Sequence, residues 1–179
     1  MGFVRTIDRL SEVVGKTAAW LGLAMVLLAA LNALLGRVEL FVDRRLSYVA
    51  LDEAEWYLFS LMFLFAAPWA LRDGAHVRVD VLYGRLGPRG RAWTDLLGGL
   101  ILGVPFAIYA VWATVPAAAE SLHLGEVSND AGGLLRWPLK MAIPVAFGLL
   151  ALQGIANSVR AFAVIRSGKA QIPSGDNRA

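Results

Sequence analysis

The stretch that decides the fold is LLGGLILGVPFAIYAVWATVPAAA, residues Leu96–Ala119, with 24 residues and no charged side chain. A helix rises 1.5 Å per residue, so about 20 apolar residues cross the ~30 Å hydrocarbon core of a bilayer. Three further uncharged runs are Thr17–Gly36 with 20 residues, Trp56–Leu71 with 16 and Met141–Val159 with 19. The shortest run is bordered by Glu55 and Arg72, whose charged ends can reach the headgroup region. We therefore predict an all-α membrane protein with four transmembrane helices.

Composition agrees with a membrane protein. Of the 179 residues, 58% are hydrophobic and 17% are charged, with a mean hydropathy of +0.58, whereas soluble domains are roughly 45–50% apolar and ~25% charged. The net charge of +3 is too small and too scattered for a nucleic-acid-binding protein. The absence of cysteine excludes disulfides, thiolate metal sites and Cys nucleophiles, and two histidines leave little for a metal or haem. We expect no cofactor and no bound metal.

The expected organisation is one integral membrane domain over residues 1–165, followed by a polar cytoplasmic tail over 166–179. The four spans are expected at about 14–36, 54–72, 95–117 and 140–161. Residues 37–50 alternate apolar side chains such as Phe41 and Leu46 at helical spacing with charged ones, which predicts an amphipathic helix on the membrane surface.

The remaining connections carry weaker patterns. Residues 76–82 alternate polar with apolar side chains, and both a strand and a short interfacial helix stay open. Gly87–Gly90 predicts a turn before the third span, and Asn129–Gly133 predicts a turn before the fourth.

Orientation follows from the basic residues, because short cytoplasmic segments retain Lys and Arg. Twelve of the 17 Lys and Arg residues fall on the side of the two termini and five on the other side. The termini side then carries a net charge of +6 and the opposite side −3. Both termini are therefore predicted to be cytoplasmic.

The spans offer no pathway for a polar solute. None of the four uncharged runs contains Asp, Glu, Lys, Arg or His, and transport of a polar solute across a bilayer usually requires such residues at mid-depth. Polar residues such as Asn32, Gln153 and Asn157 are expected to form interhelical hydrogen bonds, and Gly99 and Gly103 begin a small-residue ladder for helix packing. No catalytic constellation is present. The residues alone favour an accessory or scaffold subunit, while a membrane anchor of a respiratory or other enzyme complex and a self-associating pore stay open.

Three motifs resemble the small permease subunit of TRAP transporters, the DctQ-type family of tripartite ATP-independent periplasmic systems. The sequence has acidic residues opening the second span (DEAEWYLF, 52–59), then LRDGAHVRVD (71–80), and GGLLRWPLK (132–140) before the fourth span. The resemblance covers roughly residues 10–165, and within the family the sequence is similar to the branch labelled mannitol/chloroaromatic. The residues matching the family pattern are Glu53, Trp56, Arg72, His76, Arg78 and Asp80.

The resemblance implies partners rather than an enzymatic activity. In such systems a large membrane subunit carries the sodium-driven substrate path and a periplasmic binding protein delivers an organic acid. The small subunit braces the large one in the bacterial inner membrane and helps to receive the binding protein. Besides membrane lipid, these two proteins are the expected partners, and nucleic acid is not. Candidate partner-facing residues are Phe41, Leu46, Trp137, Gly99 and Gly103.

Overall fold

The computed structural model describes residues 2–41, 49–75 and 86–167, and this part of the chain is almost entirely helical. The elements are α1 (Gly2–Glu39), α2 (Val49–Arg72), α3 (Pro88–Leu97), a π-helical segment (Gly98–Gly103), α4 (Val104–Leu124) and α5 (Trp137–Ser167). Four helical stretches are long and apolar enough to cross a membrane, since α3, the π-helical segment and α4 run on as one. The predicted all-α membrane fold with four spans is confirmed.

Several expectations fall on residues outside the described ranges. Half of the predicted amphipathic helix at 37–50, residues 42–48, is among them, while residues 37–39 end α1 and residues 49–50 begin α2. The strand-or-helix alternative for residues 76–82 and nearly all of the polar tail also lie outside.

The helix start at Pro88 corrects one sequence prediction. Gly87–Gly90 was expected to form a turn, yet Gly87 is the extended N-cap residue and α3 begins at Pro88. Proline fits the first helical position because its fixed φ suits the helix and its missing N–H has no partner there in any case. Gly-Pro is common both in turns and at helix starts, so the dipeptide alone did not distinguish them.

The π-helical segment changes which side chains face α5. Val104 N–H bonds to the carbonyl of Gly99, five residues back, directly before Pro105. A proline cannot donate to the carbonyl four residues earlier and its ring crowds it, which favours such a widened turn. The extra residue leaves Gly103 exposed while Val104 and Ala107 are buried. Of the small residues Gly99, Gly103 and Ala107 on this helix, Gly103 therefore does not pack against α5, and its role as a partner-facing residue stays a prediction.

Helix α5 is the centre of the described structure, because every other described helix packs on it. Helix α1 packs mainly on α2, and α4 packs mainly on α5. Small residues allow these close crossings. A Cβ added to Gly15 would lie 2.4 Å from Trp69 Cβ, and one added to Gly154 would lie 3.0 Å from Val104 Cγ2.

Candidate functional site

The polar side chains of the described residues gather at the two ends of the helices. We call Glu53, Ser128 and Leu134 the loop cluster, since it joins α2 to the segment between α4 and α5. We call Asp8, Ser11, Gln153, Asn157 and Arg160 the terminal cluster, since it joins the beginning of α1 to the second half of α5.

In the loop cluster, Glu53 is only 4% exposed although it lies in the first turns of α2. Its carboxylate accepts a hydrogen bond from Ser128 Oγ, and its Oε2 accepts one from the backbone N–H of Leu134 at 2.5 Å. A buried carboxylate persists only where its charge is compensated by such donors. Glu53 therefore ties the loop between α4 and α5 to the start of α2.

Two glycines make this close approach possible. Gly132 has φ +82°, a left-handed conformation that side chains disfavour. A Cβ on Gly133 would lie 2.4 Å from Ser128 Cβ and 2.7 Å from Glu53 Oε2. The second glycine thus leaves room for the carboxylate, and the predicted turn at 129–133 is confirmed by the Gly133 N–H bond to Asp130 O at 3.0 Å.

The same loop is braced at its base. Val127 and Leu135 form an antiparallel bridge, and the Tyr57 hydroxyl donates to Leu135 O at 2.6 Å. Lys140 Nζ lies 2.5 Å from Glu126 Oε2. The hydrogen bond from Lys140 lowers the pKa of the Glu126 carboxyl below its usual value. Contacts from α2, through Tyr57, and from α5, through Lys140, therefore brace this loop.

A further tie lies at this end of the helix pair α1 and α2. Asn32 Nδ2 donates to Asp52 Oδ1 at 2.6 Å and to Glu55 Oε1 at 2.9 Å. The acidic opening of α2 therefore reaches α1 through Asn32 and the loop through Glu53.

The terminal cluster centres on Gln153, which is fully buried. Its Oε1 accepts from Ser11 Oγ at 2.7 Å, and its Nε2 donates to Asp8 Oδ1 at 3.0 Å and to Asn157 Oδ1 at 3.1 Å. Arg160 Nη1 completes the cluster by pairing with Asp8 Oδ2 at 2.5 Å. Two of the three hydrogen bonds of this one amide thus join α1 to α5, and the third, to Asn157, stays within α5.

The end of α2 is fastened at the same level. Asn157 Nδ2 donates to the Leu71 carbonyl at 2.9 Å, one of the last carbonyls of α2. Arg72 Nη1 lies 3.1 Å from Glu12 Oε2. Asp8 and Asn32 are 24 residues apart in α1, so the polar ties at its two ends are about 36 Å apart along the helix.

The polar groups pair with one another, and no group of three or more metal-ligating side chains occurs among the described residues. These contacts link α1 to α5 and α2, α5 to α2, and the loop between α4 and α5 to α2.

Comparison with known protein families agrees with this geometry. A family model described as tripartite ATP-independent periplasmic transporters, DctQ component, matches residues 40–164, more than two thirds of the chain. The chain belongs to the DctQ family. The comparisons with curated proteins and with solved structures found no match. The match begins at residue 40, so the resemblance is confirmed from the segment before α2 onward.

Family membership establishes the class of function. This DctQ chain is the small subunit of a TRAP transporter, a multi-pass protein of the bacterial inner membrane that works with a large permease and a substrate-binding protein. It is a transporter component, which favours this interpretation over a respiratory membrane anchor or a self-associating pore.

The DctQ motif residues fall into three groups. Glu53 lies in the loop cluster, and Arg72 pairs with Glu12 beside the terminal cluster. Trp56 is half-exposed, with its ring 4.7 Å from that of Tyr57. The motif residues outside the described ranges are His76, Arg78 and Asp80.

The candidate partner-facing residues differ in exposure. Phe41 is 88% exposed, Gly103 is exposed and Trp137 is half-buried. A Cβ on Gly99 would lie 3.1 Å from Ser158 Oγ, which turns this glycine toward α5. Leu46 lies outside the described residues.

Sequence reasoning missed most members of the terminal cluster. Gln153 and Asn157 were expected to form interhelical hydrogen bonds, but Asp8, Ser11 and Arg160 were not singled out. Asp8 and Ser11 are three residues apart, and so are Asn157 and Arg160, which places each pair on one helix face. That spacing was the available signal, but it does not show which helix lies opposite.

Proposed function

We propose that this DctQ subunit is a rigid scaffold for the large, sodium-coupled membrane subunit and helps to dock the periplasmic binding protein during uptake of an organic acid. The observation that carries this proposal is the pairing of the polar side chains with each other at the two ends of the helices. Ionisable groups at mid-depth, which a solute pathway usually needs, are absent from the sequences of the spans. The substrate pathway then belongs to the partner.

The loop between α4 and α5 is the proposed docking surface for the binding protein. Leu124, Val127 and Leu135 are large apolar residues that are at least 48% exposed there. Because Glu53 and Tyr57 hold this loop, it presents these side chains without an ordering cost on binding. We place it on the periplasmic side, since the termini side carries the excess of Lys and Arg.

Reconstitution tests the scaffold role. Liposomes that contain this chain alone should not take up the organic acid, whereas liposomes with the large subunit, the binding protein and an inward sodium gradient should. Replacing sodium with choline should abolish uptake. Sodium-driven uptake by this chain alone would refute the proposal, as would failure of the chain to co-purify in a 1:1 ratio with the large subunit, measured by intact mass.

Docking is tested with paired serine substitutions. Leu124→Ser with Val127→Ser should raise the binding-protein concentration needed for half-maximal uptake by about tenfold, because two apolar contacts are lost. Leu86→Ser with Trp93→Ser, which also replaces two exposed apolar residues but at the opposite end of the helices, is the matched control. Equal effects of the two changes would contradict docking at this loop.

The absence of cysteine allows a direct test of orientation. An impermeant maleimide added to spheroplasts should label Asp130→Cys in the loop and not Thr6→Cys near the N-terminus. The reverse labelling would overturn the proposed orientation and the docking assignment, but leave the scaffold role intact.

A further inference from the structure

The beginning of α1 has an apolar side that no other described helix covers. Its buried face, which packs against α2 and α5, consists of Val4, Ile7, Ser11, Gly15 and Ala18. On another side, Phe3, Leu10, Val13 and Trp20 are between 43% and 70% exposed. We call these four residues the apolar column.

Two arginines lie beside the apolar column. Arg5 and Arg9 are four residues apart and exposed, so they stand one turn above the other on the same face. No hydrogen bond or ion pair of their guanidinium groups occurs within the part of the chain that the structure describes. In contrast, Lys16 pairs with Glu12 at 2.6 Å and Arg160 pairs with Asp8 at 2.5 Å. Among the described residues, the charges of Arg5 and Arg9 are therefore not neutralised and can bind an external anion.

The two arginines lie at the level of the membrane surface. Asp8, between them in sequence, contacts Arg160, which directly follows the uncharged run that ends at Val159. Arg5 and Arg9 are each within one helical turn, about 5 Å, of this level. The headgroup layer is roughly 5–8 Å thick on each side of the hydrocarbon core. Both guanidinium groups can thus reach phosphates in that layer.

We propose that Arg5 and Arg9, with the apolar column, bind an anionic phospholipid on the membrane leaflet at the termini side. The guanidinium groups bind the phosphate, for which their planar donor geometry is suited. An acyl chain lies along Val13 and Trp20 toward the membrane interior. The apolar column continues directly into the exposed face of the span at Leu23 and Leu27, as a lipid tail requires.

This arrangement favours a lipid over a free anion or a protein. A soluble phosphate would use the two arginines but not the exposed apolar side chains next to them. A protein docked here would either have to lie outside the bilayer or have to displace the lipid that surrounds α1. The inference does not depend on the substrate or on docking of the binding protein.

Native mass spectrometry of the purified full chain tests this site. The chain is titrated with phosphatidylglycerol or with phosphatidylcholine of the same acyl chains. Arg5→Gln with Arg9→Gln should lower the preference for phosphatidylglycerol by roughly 30-fold, the effect of two basic side chains at headgroup level. Arg5→Lys with Arg9→Lys should retain most of the preference and shows that the helix still folds.

Arg37→Gln with Arg89→Gln is the charge-matched control, since both arginines are exposed and lie elsewhere. It should keep the wild-type preference. Equal binding of the two lipids by the wild type, or an equal loss in the control variant, would overturn the site. So would full displacement of the lipid by excess inorganic phosphate, which would indicate a free-anion site. Loss of the preference on co-purification with the large subunit would assign this surface to that protein instead.

Discussion

Replacing Gln153 with leucine tests whether the terminal cluster holds α1 against α5. The side chain makes three hydrogen bonds, two of them to α1, and is fully buried. Interhelical hydrogen bonds in membranes contribute about 0.6 kcal/mol each on average. Ser11, only 1% exposed, would also keep a hydroxyl without its acceptor, at an added cost of about 1 kcal/mol or more. Since leucine has nearly the same volume, Gln153→Leu should lower the free energy of unfolding by about 2–4 kcal/mol through lost hydrogen bonds rather than a cavity.

The assay is equilibrium unfolding in mixed detergent micelles, followed by circular dichroism. Leu152→Met, at the neighbouring exposed position, is the control and should change the free energy of unfolding by less than ~1.5 kcal/mol. Adding Ser11→Ala to Gln153→Leu should cost nothing further, because both partners of that hydrogen bond are then apolar. A loss below about 0.5 kcal/mol for Gln153→Leu, or strict additivity with Ser11→Ala, would refute the reasoning.

Three further predictions concern the close contacts and the loop. Gly133→Ala should destabilise the loop by about 1–3 kcal/mol through overpacking, measured as faster hydrogen exchange at residues 128–135, whereas Gly148→Ala, with open space around it, should not. Gly15→Ala should separate α1 from α2, because the new methyl group would lie 2.4–2.6 Å from Trp69 atoms; a wild-type unfolding curve would contradict this. The Glu126 carboxyl has a lowered pKa in the folded chain, so its stabilising effect is present above the ordinary pKa of 4.5 and is lost as pH falls through the lower folded value. Glu126→Gln should therefore flatten the stability profile below that pH, and an unchanged profile would show that the ion pair does not stabilise the loop.

The sequence was sufficient for the four spans because an uncharged run of about 20 residues has few alternatives to a membrane helix. The sequence was not sufficient to predict the beginning of α1, because this helix starts at Gly2, well before the expected span at about 14–36. Arg5, Asp8 and Arg9 were interpreted only as charges flanking a span. The ion pair between Asp8 and Arg160 is needed to show which side of α1 faces α5 and which side is left exposed.

The candidate site was predictable to a similar extent. Glu53 was identified from a family motif, but its burial depends on Ser128 and Leu134, 75 and 81 residues away. Neither helical nor strand periodicity reports such a pairing, because the loop has no repeat. Gly133 belonged to a turn signal, but a side chain at this position would clash with Ser128 and Glu53, neither of which is part of the predicted turn at 129–133.

The position of the polar ties explains how a membrane scaffold can stay rigid. Between the two clusters, the helices pack through small residues such as Ala107, Ala146 and Ala151, which permit close approach but define the sliding register only weakly. A hydrogen bond has a narrow range of distance and angle, so ties about 36 Å apart along α1 resist both sliding and tilting. Gln153 fixes one end and Asn32 the other. If the chain acts as the proposed scaffold, polar ties at both ends would resist shear along its helices without placing Asp, Glu, Lys, Arg or His in the uncharged runs of the spans.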